Sequence, residues 1–409
     1  MIYILIDYLQ QHFDIPGGGL VRFLSFRAAA AIIIALVIAL VFGGAIIRAL
    51  RRRQIGEDIR ELGLEGQSQK KGTPTMGGLI ILAAILVPIL LVGDLSNVYV
   101  QLLIVATVWL GCIGFLDDYI KVFRHNKHGL NGRFKVVGQV GLGIIVGTTM
   151  WLSPDVVVKE VASPAKDEVV LFSGEATLRS GEPEKTTKTT IPFVKDKELD
   201  YGWFTGEVGD NGAATWVLYI FVAIFIITAV SNAANLTDGL DGLNTGVAMP
   251  IVVVLGIFAY LSGNIVYADY LNIMYIPGAG ELLIFAGAMV GALIGFLWYN
   301  GYPAQVFMGD TGSLAVGGII AVMALLIRKE LLLPIMCGVY LVETCSVIIQ
   351  RTWFKITKRR YGEGRRVFLM SPIHHHFQKK LMPESKIVIR FTIISIMLAA
   401  ITLTTLKVR

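Results

Sequence analysis

Three groups of carboxylates stand where an apolar chain has little reason to keep them. Asp117 and Asp118 are adjacent in Gly114-Phe-Leu-Asp-Asp-Tyr-Ile-Lys121, directly after the apolar stretch 102–116. Asp238 and Asp241 follow another apolar run in Asn235-Leu-Thr-Asp-Gly-Leu-Asp-Gly-Leu-Asn244, and Asp310 lies in Met308-Gly-Asp-Thr-Gly-Ser313. Ionised carboxylates at the edge of a bilayer core are costly, so adjacent acids there read first as functional. Carboxylates beside glycine-rich turns with open amides suit a divalent cation and phosphate, provided the topology gathers them on one side.

Each group also has a plain reading. A helix running through Asp117 and Asp118 points them about 100° apart, so they cannot serve one atom alike. One can then face a metal or phosphate while the other meets a cation such as Lys121. The plain alternative is a solvated helix end. The polar positions 235, 238, 241 and 244 recur at every third residue and fit one face of a helical turn, or else an Asx-rich reverse turn. Asp310 is placed as an N-cap of the apolar helix that follows it, a position from which Mg²⁺ can still be coordinated.

Two basic clusters complete the set. Ser371-Pro-Ile-His-His-His-Phe377 carries three consecutive histidines, which cannot share a helical face. That spacing argues against a three-histidine zinc site and for phosphate binding or proton transfer. Lys70-Lys-Gly-Thr-Pro-Thr-Met-Gly-Gly78 leads from a basic loop into a helix, with glycines for close approach and lysine as a mobile charge for phosphate. It lacks the order of a P-loop.

The elements that must position these residues are membrane helices. Of the 409 residues, 55% are hydrophobic and only 16% charged, far from a soluble average. Spanning about 30 Å of hydrocarbon takes roughly 20 apolar residues. That window finds ten candidates, near 23–47, 76–93, 98–116, 136–152, 214–231, 244–262, 281–298, 312–327, 332–350 and 387–406. The expected fold is an all-α polytopic membrane protein, one domain over 1–409.

Lysine and arginine crowd the odd-numbered loops: Arg48 to Lys71, Lys121 to Lys135, and Lys355 to Lys386. Short basic loops stay cytoplasmic, so all the acidic groups and the histidines fall on the cytoplasmic side and both termini on the periplasmic side. The net charge of +6 belongs to these loops. No nucleic-acid motif accompanies it, and no nucleic-acid partner is expected. Residues 153–212 are polar, with β-prone runs at Glu168–Phe172 and Thr190–Val194, and read as an external insertion of one or two hairpins or a disordered loop. Cys112, Cys337 and Cys345 lack metal spacing and read as reduced packing residues. The N-terminus carries Asp7 and Asp14 and lacks a cleavable signal pattern, so the first span is expected to remain.

Taken together and in order, these five motifs resemble the signature of the polyprenyl-phosphate N-acetylhexosamine-1-phosphate transferases. Within that family the Ser-Pro-Ile lead and the histidine run are most similar to the branch acting on the muramoyl pentapeptide. Only 153–212 departs, being longer than the external loop usual there.

The resemblance implies a Mg²⁺-dependent transfer of phospho-MurNAc-pentapeptide from UDP-MurNAc-pentapeptide to undecaprenyl phosphate, with UMP released. It further implies a homodimer in the bacterial cytoplasmic (inner) membrane, amid membrane lipid. Asp310 becomes the first metal ligand with Asp117 as a second candidate, and Asp117, Asp118, Asp310 and His374 the catalytic set. Lys70, Asn235, Asp238, Gly239, Leu240, Asp241, Asn300 and Phe307 are placed around the nucleotide. Lys121, Lys135, His375 and His376 are placed on phosphates or the muramoyl portion. Direct attack by the lipid phosphate is favoured over a double displacement through an aspartate, since that phosphate is already largely ionised. A sibling transferase of UDP-GlcNAc and a transporter or lipid flippase are the alternatives; a transporter would set its polar breaks near the midplane.

Overall fold

Small residues at four-residue spacing decide how the helices meet. A computed structural model describes residues 12, 18–53, 70, 72–124, 129–162, 179–194, 198–207 and 212–406. Helix α1 (Leu24–Arg53) buries Ala31, Ala35 and Ala39. They face Gly287, Gly291 and Gly295 of α7 (Leu282–Asn300); a methyl on Gly291 would stand 3.0 Å from the Ala35 Cβ. Such small-residue faces let backbones approach where lipid offers no hydrophobic drive between helices.

The other principal helices are α2 (Gly78–Val92), α3 (Val98–Phe123), α4 (Gly132–Leu152), α5 (Ala213–Thr237), α6 (Leu243–Ser262), α8 (Gly309–Leu326), α9 (Gly338–Tyr361), α10 (Ile373–Lys379) and α11 (Glu384–Thr404). The Asn97 side chain caps α3 through the Tyr99 and Val100 amides, at 2.9 and 3.3 Å. Eight helices among the described residues are long and apolar enough to cross a membrane. A ninth span is bent by 77° between Glu330–Met336 and α9. The tenth expected span is the apolar α2, only 15 residues long.

Helix α8 is the central element. Its apolar window is 89% buried, against 28% for α1 and α11 at the periphery, so it is enclosed by protein and not by lipid. It packs on α3, α5, α2 and α6. The approach to α3 is set at Gly114, where an added methyl would lie 2.6 Å from the Thr311 Cα and nearer still to the Asp310 carbonyl. On α5, Ser231 comes so near Gly317 that the same methyl would lie 2.7 Å from its Cα.

Several expected boundaries move. Helix α3 runs on to Phe123, so Asp117 and Asp118 belong to a helix and are buried, not to the third loop. Asp117 pairs with Lys121 one turn on and with Lys135 of the following helix, and Asn131, not a residue near 117, opens that helix. Asp310 lies in the first turn of α8 and does not cap it, because Asp118 supplies that cap from α3. The positions 235, 238, 241 and 244 do not share one helical face. The left-handed backbone of Gly242 (φ 80°) separates α5 from α6 and turns them apart.

The insertion forms two small antiparallel pairs, β1 (Val158–Ala162) with β2 (Arg179–Glu184) and β3 (Thr189–Thr190) with β4 (Glu198–Leu199). Of the two runs expected to be strands, Glu168–Phe172 lies outside the described residues, while Thr190–Val194 contributes only its first residue to a strand. The second pair is docked on the end of α8 opposite Asp310: the Thr190 amide donates to the Arg328 carbonyl at 3.2 Å, and Lys329 Nζ to Thr190 Oγ1 at 2.7 Å.

Candidate active site

One helix register places the aspartates. Asp118 lies four residues beyond Gly114, on the face of α3 that touches α8. Its Oδ1 accepts from the Asp310 amide at 3.1 Å; its Oδ2 accepts from the Thr311 amide at 2.9 Å and the Thr311 hydroxyl at 2.6 Å. A carboxylate here satisfies the open amides at the start of α8 and faces the positive end of its dipole. Gly309 (φ 72°) leaves the space it needs: a methyl there would stand 2.6 Å from Asp118 Oδ2.

Asp117 turns the other way, as the 100° rotation requires. Its Oδ2 is 2.5 Å from Lys121 Nζ, and its Oδ1 is 2.9 Å from Lys135 Nζ and accepts from the Leu130 amide at 2.8 Å. Lys135 also pairs with Asp310 Oδ2, from which Lys121 Nζ is 3.4 Å. Asn235 Nδ2 donates to Asp310 Oδ1 at 2.9 Å and to Ser313 Oγ at 2.8 Å. Oxygens of Asp117, Asp118 and Asp310 lie within 4.8 Å of one another. The donor set is hard oxygen, and two ammoniums already stand against it in cation positions. That chemistry fits a small divalent ion that takes a few carboxylates and fills its remaining positions with water and phosphate.

Asp238 joins this group from the turn after α5. Burial first, then Asp310 and Asp118, push its carboxyl from 3.8 up to about 8, against the pull of the Gly309 amide.

A second cluster adjoins it. Lys70 Nζ lies 2.7 Å from Asp241 Oδ1 and 2.5 Å from Glu384 Oε1. Burial opposes its charge, but Glu384 and Asp241 together raise its pKa above 10.5. Glu384 also accepts from the Asp241 amide at 2.8 Å, and Asp241 Oδ2 from the Ala304 amide at 3.0 Å. The half-buried Phe307 ring has its centroid 5.9 Å from Lys70 Nζ. Asn300 is buried and serves as a tie, accepting from the Gly242 amide at 3.0 Å and donating to the Val306 carbonyl at 3.0 Å. Leu240 is buried and presents no open surface.

The histidines point three ways along α10. His374 is fully buried, with Nδ1 3.1 Å from Glu343 Oε2 of α9. It presses on Gly239, where a methyl would stand 2.7 Å from its Cε1. His375 Nδ1 lies 2.7 Å from Gln378 Oε1; burial and then His374 lower its pKa to about 4, so it is neutral near pH 7. His376 Nδ1 accepts from the Leu369 amide at 3.1 Å and ties the loop before α10.

Every odd-numbered loop therefore meets at one end of the bundle. Arg51 reaches the Gln305 carbonyl at 3.5 Å, Lys70 reaches Asp241 and Glu384, and Lys135 reaches Asp310. Two residues not expected from the sequence complete the site. Glu343 is the only acidic or basic residue in its apolar run 332–350, a signal that was open to reading. Glu384 belongs to none of the five motifs, and its partners come from positions 70 and 241.

A profile of glycosyl transferase family 4 matches residues 100–328, and phospho-N-acetylmuramoyl-pentapeptide-transferase signature 1 matches residues 70–82. Three relatives, each named phospho-N-acetylmuramoyl-pentapeptide-transferase, align over 100% of both chains. They come from Flavobacterium psychrophilum (55% identical), Porphyromonas gingivalis strain W83 (56%) and Parabacteroides distasonis (54%).

Proposed function

The chain belongs to the phospho-N-acetylmuramoyl-pentapeptide transferases of glycosyl transferase family 4, and from that membership we propose how its residues divide the reaction. It is a multi-pass membrane enzyme acting on a nucleotide-linked sugar peptide and a lipid carrier. In the finer reading the donor is UDP-MurNAc-pentapeptide and the acceptor undecaprenyl phosphate. The products are undecaprenyl-diphospho-MurNAc-pentapeptide (lipid I) and UMP. The site faces the cytoplasm across the bacterial inner membrane, in a homodimer.

The observation that carries this reading is the meeting of Asp117, Asp118 and Asp310 with Lys121 and Lys135 at the closed end of α8. An oxygen of the lipid phosphate attacks the β-phosphorus of the donor. One P–O bond forms there as the bond to the bridging oxygen breaks, and UMP leaves with that oxygen. Both reactants are anions, so positioning and charge neutralisation do most of the catalysis.

Asp310 and Asp117 would hold Mg²⁺, which when bound supplies positive charge between the two anions. Lys121 and Lys135 contact the transferring phosphates. Asp118 is a positioning residue, fixing the start of α8 and with it Asp310. Asn235, Asp238, Gly239 and Asp241 border the nucleotide, Lys70 and Phe307 flank the base, and Leu240 and Asn300 support that pocket from behind. His374, held by Glu343, and His375 face the sugar-phosphate side, with His376 bracing the loop they stand on.

The test is release of UMP by the purified full-length protein. Release from UDP-MurNAc-pentapeptide is expected only with both polyprenyl phosphate and Mg²⁺. Release from UDP-GlcNAc and not from the pentapeptide donor would overturn the substrate assignment.

A further inference from the structure

At the end of the bundle opposite the aspartates, the polar segment 153–212 turns two of its largest apolar side chains outward. Trp203, the only tryptophan of that segment, is 60% exposed, and Phe204 is 70% exposed. The single helical turn that carries them, Gly202–Thr205, is built to hold that direction. The Gly202 amide donates to Asp200 Oδ1 at 2.8 Å, and the left-handed Gly206 (φ 79°) closes the turn with its amide on the Gly202 carbonyl. Tyr201, one residue before the turn, points inward and is 5% exposed. Two adjacent aromatic side chains fixed outward from a polar segment mark a surface that something covers.

The height of the turn says what covers it. The turn is fastened to the first two turns of α5: Thr205 Oγ1 lies 2.6 Å from Thr215 Oγ1, and the Tyr201 ring meets the Tyr219 ring edge-on with centroids 5.5 Å apart. Glu207, just past the turn, accepts from the Thr215 amide at 3.0 Å and from its hydroxyl at 2.9 Å. Helix α5 has 25 residues. At about 1.5 Å each it is about 37 Å long, against about 30 Å of hydrocarbon. The surplus of about 7 Å is roughly five residues, so the boundary between acyl chains and headgroups falls within the first turns of α5, where 215 and 219 stand. The end of α4 is at the same height. Trp151 stacks on Trp216 with centroids 6.4 Å apart, and its neighbour Leu152 is 71% exposed. Aromatic rings collect at this boundary, and an indole suits it best, with an apolar body for the acyl chains and an N–H for water.

We propose that Trp203 and Phe204 seat the polar insertion in the headgroup–acyl boundary of the bilayer, on the side opposite the aspartates, with Leu152 at the same depth. The partner is the phospholipid surface itself. The contact is apolar, and residues 200–207 hold Asp200 and Glu207 but no lysine or arginine, so it requires no anionic headgroup.

The test uses the full chain in vesicles of phosphatidylcholine brominated either near the headgroup end of the acyl chains or near their tips. The chain has six tryptophans, so Trp203 is read as the difference in emission between the wild type and Trp203→Phe, a variant that should release UMP at the wild-type rate. The difference emission is expected to be lost with shallow bromine, to persist largely with deep bromine, and to be shielded from aqueous iodide. In the double variant Trp203→Phe, Phe204→Trp the indole moves one residue along the turn, and the shallow quenching should return. Difference emission that iodide quenches and bromine at either depth leaves intact would put the turn in water and overturn the proposal. Emission shielded from both quenchers would mean that protein covers the turn, a second copy or another chain, and would overturn it as well. So would shallow quenching that appears only when phosphatidylglycerol is mixed in, since the contact would then be led by charge.

Discussion

Gly114→Ala tests whether the approach of α3 to α8 sets the chemistry. The added methyl would stand 2.6 Å from the Thr311 Cα, with the Asp310 carbonyl closer still. Reaching the 3.4 Å of an ordinary contact takes a separation of at least about 0.8 Å, and both obstacles are backbone, so no side chain can swing aside. Asp118, one turn further along α3, holds the Asp310 and Thr311 amides at 3.1 and 2.9 Å. A shift of that size breaks those bonds and parts Asp117 from Asp310. Misplacement near 1 Å costs on the order of 10²-fold in rate, and overpacking costs about 1–3 kcal/mol in stability. The nucleotide cluster at Lys70, Asp241 and Phe307 is built from other elements. UMP-release kinetics at saturating donor should therefore show kcat falling roughly 10²-fold. Gly132→Ala is the control, since a methyl there meets nothing within 4 Å, and it should match the wild type. If Gly114→Ala kept kcat within a few-fold and unfolded at the wild-type temperature, backbone contact would not be what registers the aspartates.

Three further outcomes follow from the same geometry. Asp310→Asn should lower kcat by about 10²-fold or more, and chelation of the wild type should stop turnover until Mg²⁺ returns; turnover undiminished in chelator would remove the metal from the mechanism. Glu343→Ala leaves the buried His374 without its partner and should cost about 3–5 kcal/mol in thermal or denaturant unfolding, with Glu343→Gln costing less; equal stability of both variants to the wild type would show that the pair holds nothing. The Asp238 carboxyl, raised from 3.8 to about 8, keeps its proton longer in the folded than in the unfolded chain, so its ionisation destabilises the fold progressively between those values. With chelator present, the stability of Asp238→Asn relative to wild type should grow as pH rises from about 4 to about 8 and then level off. A flat difference across that range would refute the assignment.

The sequence carried the site better than it carried the helix limits. Asp117, Asp118, Asn235, Asp310, Lys121 and Lys135 were all expected to gather on one side, and they do, because loop parity depends only on counting spans and basic residues. The divergence of Asp117 from Asp118 was also legible, since it follows from helical geometry alone. What escaped was tertiary. Helix α3 runs on past its apolar stretch, where Lys121 and Lys135 pair with Asp117, and one of those lysines lies on another helix. The three-residue spacing through 235–244 fitted either a helical turn or an Asx-rich reverse turn, and the structure has the turn, closed by the left-handed backbone of Gly242. The bend of 77° before α9 falls at Cys337, between Pro334 and Gly338, inside a stretch apolar enough to read as one span. Lys70 and Asn300 were placed near the nucleotide by resemblance. Their buried partners, Glu384 for one and the Gly242 amide for the other, come from sequence too distant for local pattern to reveal.

The charge balance at the end of α8 explains why so acidic a cluster can serve two anionic reactants. Asp117, Asp118 and Asp310 bring three negative charges, and Lys121 and Lys135 return two positive ones. Asp118 is largely spent on the α8 amides and the dipole behind them, so it repels an incoming phosphate less than its formal charge suggests. The lysines alone leave the cluster slightly negative, a poor place for a diphosphate. With a divalent cation held by Asp310 and Asp117 the same cluster becomes net positive, and the ammoniums freed from those oxygens can turn to phosphate. On this reasoning donor binding should require the cation, not turnover alone. Equilibrium binding of UDP-MurNAc-pentapeptide to the full chain, without acceptor, should weaken at least about tenfold in chelator, the equivalent of roughly 1.4 kcal/mol. Unchanged affinity would mean that the lysines carry the donor by themselves and that the cation acts only once the acceptor arrives.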